Sequence, residues 1–121
     1  MSTNKTMRAA IYCRTNIPDR TGAEQQKTIA MKIAKEQELE IFDIYTDIGY
    51  SGNDFERPAL RKMMIDIEDG KIDCVIIESF SRLGRDMVAT MQIANRIREG
   101  GIFLVIADTI PNQPQEEISL C

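Results

Sequence analysis

Apolar residues along this chain fall into short continuous runs, and between the runs they recur every three or four positions. The run MRAAIYC, Met7 to Cys13, has the length and composition of a buried strand. The segment Thr15-Asn16-Ile17-Pro18-Asp19 then supplies turn residues. From about Gly22 to Glu38, Ile29, Ala30, Ile33 and Ala34 recur at helical spacing and predict a helix with a modest apolar face. EIFDIY, Glu40 to Tyr45, predicts a second strand, and TDIGYSGNDFER after it reads as a loop. Pro58 suits a first helical turn, where its missing N–H would be unpaired anyway, and Leu60, Met63, Met64 and Ile67 follow at helical intervals as far as Gly70. CVIIES, Cys74 to Ser79, is the clearest strand. After the polar loop FSRLGRD, a helix from about Asp86 is expected to place Met87, Met91, Ala94 and Ile97 on one side and to stop at Gly100-Gly101. IFLVIA makes a fourth strand, and DTIPNQPQEEISLC has no periodicity.

Strands that alternate with helices imply an α/β fold, a three-layer sandwich with a mainly parallel sheet, whose ligands bind at the carboxyl ends of the strands. One domain is expected over residues 1–108, with an irregular tail over 109–121.

Composition narrows the chemistry. A length of 121 residues, 43% of them hydrophobic and 28% charged, suits one globular domain. Fifteen Lys and Arg against nineteen Asp and Glu give a net charge of −4, so any basic site is local. The absence of histidine excludes Ser-His-Asp triads, Cys-His pairs and histidine metal sites. Cys13 and Cys74 lie inside strand patterns and read as small core residues, and with Cys121 they have no metal-ligand spacing. Asp43, Asp47 and Asp54 near the glycine loop read as solvated loop charges rather than a magnesium site. The methionines at 63, 64, 87 and 91 read as helix core. No cofactor, metal or membrane partner is expected, and the apolar runs and cysteine usage suit a reducing cytoplasm.

Arginines stand at two strand ends: Arg14 after the first strand, Arg82 and Arg85 after the third. Arg57, at the entry to the second helix, could join them. Guanidinium groups are planar, permanently charged donor forks suited to phosphate oxygens. The alternative is that they are solvated surface charges paired with Asp and Glu.

YCRTN…EQQ, DIGYSGNDFERPAL, KIDCVIIESFSRLGRD and REGGIFLVIAD, in this order, resemble the catalytic domain of the serine recombinases, the resolvase and invertase family, over roughly Met7 to Asp108. The resemblance implies a resolvase-like catalytic fold. It also implies a serine that attacks a DNA phosphodiester, and site-specific recombination within a tetramer. The matching arginines are Arg14, Arg57, Arg82 and Arg85, and Gln26 matches the helical glutamine that supports the site.

Three departures follow. The family motif of Tyr, any residue, Arg, a small residue and the nucleophilic Ser falls on Tyr12 to Asn16, so asparagine occupies the serine position. A carboxamide has no hydroxyl to deprotonate and forms no phosphodiester link. Thr15 carries a hydroxyl, but one residue's shift at a strand end turns a side chain to the opposite face. Ser81 stands where the family has an aspartate before Arg82, and Ser79 and Ser81 are alternative hydroxyls. Family members also continue into a long dimerising helix and a separate DNA-binding domain, neither legible here, so a fragment and a shortened relative are both open. Weak DNA binding, and self-association that requires a region absent from this chain, are expected. Three functions remain open: an impaired recombinase domain that still binds phosphate or protein, an active recombinase in its parent form or through another hydroxyl, and a phosphate-binding or interaction module unrelated to recombination.

Overall fold

The structure is a computed structural model that describes residues 6–18, 20–51, 56–84 and 86–109. Its elements run in the order β1 (Arg8–Thr15), α1 (Arg20–Glu36), β2 (Glu40–Ile48), α2 (Pro58–Glu68), β3 (Cys74–Ile77), α3 (Met87–Glu99) and β4 (Phe103–Ile106). Short 3-10 turns follow β3 (Phe80–Arg82) and β4 (Ala107–Thr109). The irregular tail expected from residue 109 lies outside the described residues beyond that second turn.

All strand pairs are parallel, in the order β2-β1-β3-β4. The chain therefore steps one way from β1 to β2 and the other way from β2 through β3 to β4. Right-handed crossovers then put α1 on one face and α2 and α3 on the other. Ala9, Ile11, Cys13, Cys74 and Ile76 pack toward Ala23, Ala30, Ile33 and Ala34 of α1. Ala10, Tyr12, Val75 and Ile77 pack toward Leu60, Met63, Ile67, Ile93 and Ile97. This is the expected three-layer sandwich, with β1 and β3 buried between two layers of helix. The topological switch lies between β1 and β3, so their carboxyl ends frame the crevice.

β1 and β2 both run further than the apolar pattern suggests, because Arg14 pairs with Asp47 and Thr15 with Ile48 at the end of the ladder. Some expected core positions are corrected. Ile29 is 42% exposed, and Met87 and Met91 of α3 are 73% and 37% exposed. The buried stripe of α3 is Ala89, Thr90, Ile93, Ala94 and Ile97. The loop before α3 lies directly against Thr90, which turns that side inward and carries Met87 out. Met63 is fully buried and Met64 packs against the same core. Cys13 and Cys74 are buried free thiols, each pushed up to about 11 chiefly by burial.

α1 is followed by a left-handed residue, Glu38 at φ 58°. The Glu38 amide donates to the Lys35 carbonyl at 3.2 Å and the Leu39 amide to the Ala34 carbonyl at 2.8 Å, a Schellman closure that directs Leu39 onto the α1-side core. That backbone is unfavourable for any side chain with a Cβ. Glu38→Gly should therefore raise the unfolding free energy by about 1 kcal/mol in denaturant titration.

On the opposite layer the Tyr45 hydroxyl donates to Asp66 Oδ2 at 2.7 Å, and Lys62 Nζ lies 3.1 Å from the same oxygen. The hydrogen bond from Tyr45, then those from Lys62, holds the Asp66 carboxyl below its ordinary value against the opposing effect of burial. A carboxyl that titrates lower in the folded chain stabilises it fully above the unfolded value of about 3.9 and loses that contribution as pH falls through the folded value. Tyr45→Phe should lower stability at neutral pH, and its deficit against the parent should narrow on acidification below about pH 4. Thermal melts across the acid range check this.

Candidate active site

Strand alternation sends Arg14, like Ala10 and Tyr12, toward the α2 and α3 side. Arg14 is 4% exposed, and its guanidinium bonds to no carboxylate among the described residues. Nε donates to the Arg82 carbonyl at 3.1 Å, Nη2 to the Ser81 carbonyl at 2.7 Å and Nη1 to the Tyr50 carbonyl at 2.9 Å. Nη1 also donates to Asn16 Oδ1. The Arg14 backbone is held by Gln26 of α1, whose Oε1 accepts from the Arg14 amide at 3.0 Å and whose Nε2 donates to the Arg14 carbonyl at 2.9 Å. A buried carboxamide thereby acts as one more rung of ladder where β1 leaves the sheet.

Arg57 precedes α2 and is fully buried. Its Nη1 donates to the Arg82 carbonyl at 3.1 Å and to the Tyr12 hydroxyl at 3.3 Å, and its Nη2 donates to the Leu83 carbonyl. Nε has no partner. The guanidinium carbon lies 5.8 Å from the Tyr12 ring centroid, within cation–π range. Successive carbonyls from Ser81 to Leu83 thus face two buried cations.

A negative charge reaches this pair through a relay. The Tyr12 hydroxyl donates to Asp47 Oδ2 at 2.7 Å, and Asp47 also accepts from the amides of Ala59 at 2.9 Å and Leu60 at 3.0 Å. Asp47 caps α2 from the neighbouring strand, because Arg57 at the N-cap position supplies no side-chain acceptor. Burial first, and then the Arg57 cation, pulls the Arg14 guanidinium below its ordinary value. Burial dominates in pushing the Tyr12 phenol up.

Arg82 lies further out, with its side chain 30% exposed. Its Nε donates to Glu78 Oε1 at 2.9 Å, and Nη1 makes a long contact of 3.4 Å with the Arg14 carbonyl. Ser79 Oγ lies 3.1 Å from the same Glu78 oxygen and 3.0 Å from Ser81 Oγ. Asn16, Gln25, Gln26, Glu78 and Arg82 line an open cleft of about 420 Å³ beside α1. Thr15 also lines it, but its hydroxyl donates to the Ile17 carbonyl at 2.9 Å.

Arg14, Asn16, Gln26, Arg57, Ser81 and Arg82 are therefore brought together at the ends of β1 and β3. Arg14 and Arg57 form the inner pair and Arg82 the outer one. Arg85 and Asp54 lie outside the described residues. Asp47 corrects an expectation: it is no solvated loop charge but a carboxylate 2% exposed with three donors. A helix that opens on Arg-Pro, with no local capping side chain, was the signal that a distant acceptor must serve its first amides. Glu78 and the Tyr50 carbonyl carried no comparable signal. Among the described residues no group of three or more His, Cys, Asp or Glu side chains could hold a metal ion, and no helix is long and apolar enough to cross a membrane.

A family model described as "Resolvase, N terminal domain" matches residues 9–120. The chain belongs to the resolvase family. A Pseudomonas putida protein described as "Resolvase/recombinase" is 27% identical over 86 residues, 71% of this chain and 46% of that one. A Bacillus subtilis (strain 168) relative is 29% identical over 112 residues, 90% of this chain and 22% of the other. This resolvase-family chain thus spans less than half the length of the curated relatives it matches. Among solved structures, the N-terminal catalytic domain of TP901-1 integrase superposes with a TM-score of 0.79 at 26% identity, covering 84% of this chain and 79% of that one. The C-terminal catalytic domain of ISC1926 TnpA, an IS607-like serine recombinase, shares the fold with a TM-score of 0.77 at 24% identity, covering 84% and 70%. The fold is that of the serine recombinase catalytic domains.

In this resolvase-family site the turn that supplies the carbonyls is seated by Gly84. A Cβ there would lie 2.7 Å from Thr90 Oγ1, 3.0 Å from its amide nitrogen and 3.1 Å from its Cα. The hydroxyl can rotate away and the α3 backbone cannot. Gly84→Ala should displace the turn from both guanidiniums and destabilise the fold by about 1–3 kcal/mol, as overpacking typically does. Urea unfolding measures the loss, and Gly84→Ala should cost more than Gly100→Ala, whose added Cβ meets nothing nearer than 3.4 Å.

Proposed function

We propose that this domain holds a DNA phosphodiester in the cleft beside Arg82 without cutting it, as a recombinase catalytic frame that lacks its nucleophile. The observation that carries the reading is Asn16, whose carboxamide lies at the cleft beyond the end of β1 with Oδ1 bound to Arg14. It offers no oxygen that can attack phosphorus. The neighbouring Thr15 hydroxyl is tied to its own turn.

The charge distribution supports anion binding. Arg14, Arg57 and Arg82 converge, and the described carboxylates bonded into the cluster are Asp47, through Tyr12, and Glu78. The local excess is positive on a chain whose net charge is −4. A phosphate diester would supply the missing counter-charge, while the acidic remainder opposes long duplex contacts and keeps affinity weak. Duplex affinity should fall with added salt with a slope set by the few phosphates contacted.

A second reading rests on the Ser81, Ser79 and Glu78 contacts, in which a carboxylate lies at the end of two hydroxyls. One experiment separates the two. Supercoiled DNA incubated with the protein and resolved under denaturing conditions should remain intact and carry no covalent adduct. An adduct mapped to Thr15, Ser79 or Ser81 would overturn the non-cutting reading. Arg82→Ala should weaken binding of a short duplex by about tenfold, the worth of one strong charge-assisted contact, and unchanged affinity would remove the cleft from consideration.

A further inference from the structure

We propose that Asn16 is itself an anion-binding residue, its side-chain amide donating to a phosphate oxygen alongside Arg82. The inference rests on the reading of the cleft as a phosphate site and assigns a task to the residue that replaces the nucleophile. Its basis is the orientation of one carboxamide. A guanidinium has donors only, so the atom of Asn16 that faces Arg14 Nη1 must be the oxygen. Arg14 is anchored in turn by the carbonyls of Ser81, Arg82 and Tyr50 and by Gln26 at its backbone, so the oxygen of Asn16 is held from a rigid base. With Oδ1 fixed inward, the amide Nδ2 is the remaining polar end of an exposed side chain that lines the cleft, and it donates to no described residue.

The other groups at the cleft sharpen the assignment. Gln26 is also a carboxamide there, but it is buried and both of its ends are bonded to the Arg14 backbone. Thr15 gives its proton to the Ile17 carbonyl. Arg82 commits Nε to Glu78 and places Nη1 at only 3.4 Å from a carbonyl, while Nη2 has no acceptor among the described residues. The outward side-chain donors on the cleft are then the Asn16 amide and the Arg82 guanidinium at the strand ends, with Gln25 of α1 on the opposite wall. A neutral donor beside a cation suits the anionic oxygens of a phosphate diester. A serine at position 16 would be shorter and would present a single hydroxyl proton.

The test is binding of inorganic phosphate and of a short DNA duplex to the full chain, comparing the parent with Asn16→Asp, Asn16→Ala and Arg82→Ala. Asn16→Asp keeps the shape and the oxygen that accepts from Arg14, and replaces only the outward donor with an acceptor. It should weaken both ligands by more than tenfold, through one lost bond to a charged group together with repulsion. Asn16→Ala should weaken them by about fivefold to tenfold, through loss of the outward donor together with the acceptor for Arg14. An exposed side chain contributes little to the fold, and unchanged melting curves confirm that each variant is intact. Parent-like binding by both Asn16 variants, with Arg82→Ala still defective, would overturn the assignment and leave the phosphate-site reading standing. Parent protein that binds neither ligand, or Arg82→Ala that binds like the parent, would instead overturn the phosphate-site reading, and the assignment with it.

Discussion

Two guanidinium groups that cannot lose their charge are buried side by side behind the ends of β1 and β3, and the arrangement of the site follows from how they are satisfied. Arg14 and Arg57 contact no carboxylate directly among the described residues. The acceptors for most of their hydrogen bonds are the main-chain carbonyls of Ser81, Arg82 and Leu83, which belong to a turn rather than to a side chain. An isolated buried cation is strongly disfavoured, and a ring of carbonyl dipoles is the compensation available where no anion reaches. The turn after β3, the end of β1 and the entry to α2 are thus one electrostatic unit, and a change in any one of them disturbs the other two.

That unit is closed by devices from several elements. Asp47 of β2 steadies the Tyr12 hydroxyl and caps α2, so the helix that follows Arg57 starts where the guanidinium needs it. Gly84 lets the turn lie against α3. Gly49, at φ 84°, bends the chain after β2 so that its own amide and that of Tyr50 both donate to the Thr15 carbonyl, which brings the Tyr50 carbonyl over Arg14. A side chain with a Cβ would be strained at that angle.

The division between inner and outer arginines decides the available chemistry. Arg14 and Arg57 form the wall of the site, whereas Arg82 and Asn16 look into the cleft. Asn16 also takes part in that wall, because its carboxamide oxygen gives Arg14 an acceptor.

Much of this was legible in the linear order of residues. Continuous apolar runs at 7–13 and 74–79 and helical repeats between them are enough to imply a parallel sheet covered on both faces, since burial on both sides removes the alternation of a half-exposed strand. The positions of Arg14, Arg57 and Arg82 at element ends, and the lack of a hydroxyl at Asn16, could also be read directly. Helix rotation could not. Met87 and Met91 fit an apolar stripe as well as Ile93 and Ala94 do, and only the close approach of Gly84 to Thr90 settles which side turns inward. Nor could the sequence tell a solvated Asp47 from a buried one, since its three donors come from residues 12, 59 and 60. The charge partners of Arg14 and Arg57 were hidden for the same reason. Most are backbone carbonyls, present at every residue and carrying no sequence signal, and those of residues 81 to 83 reach the arginines through the crossover from β2 to β3.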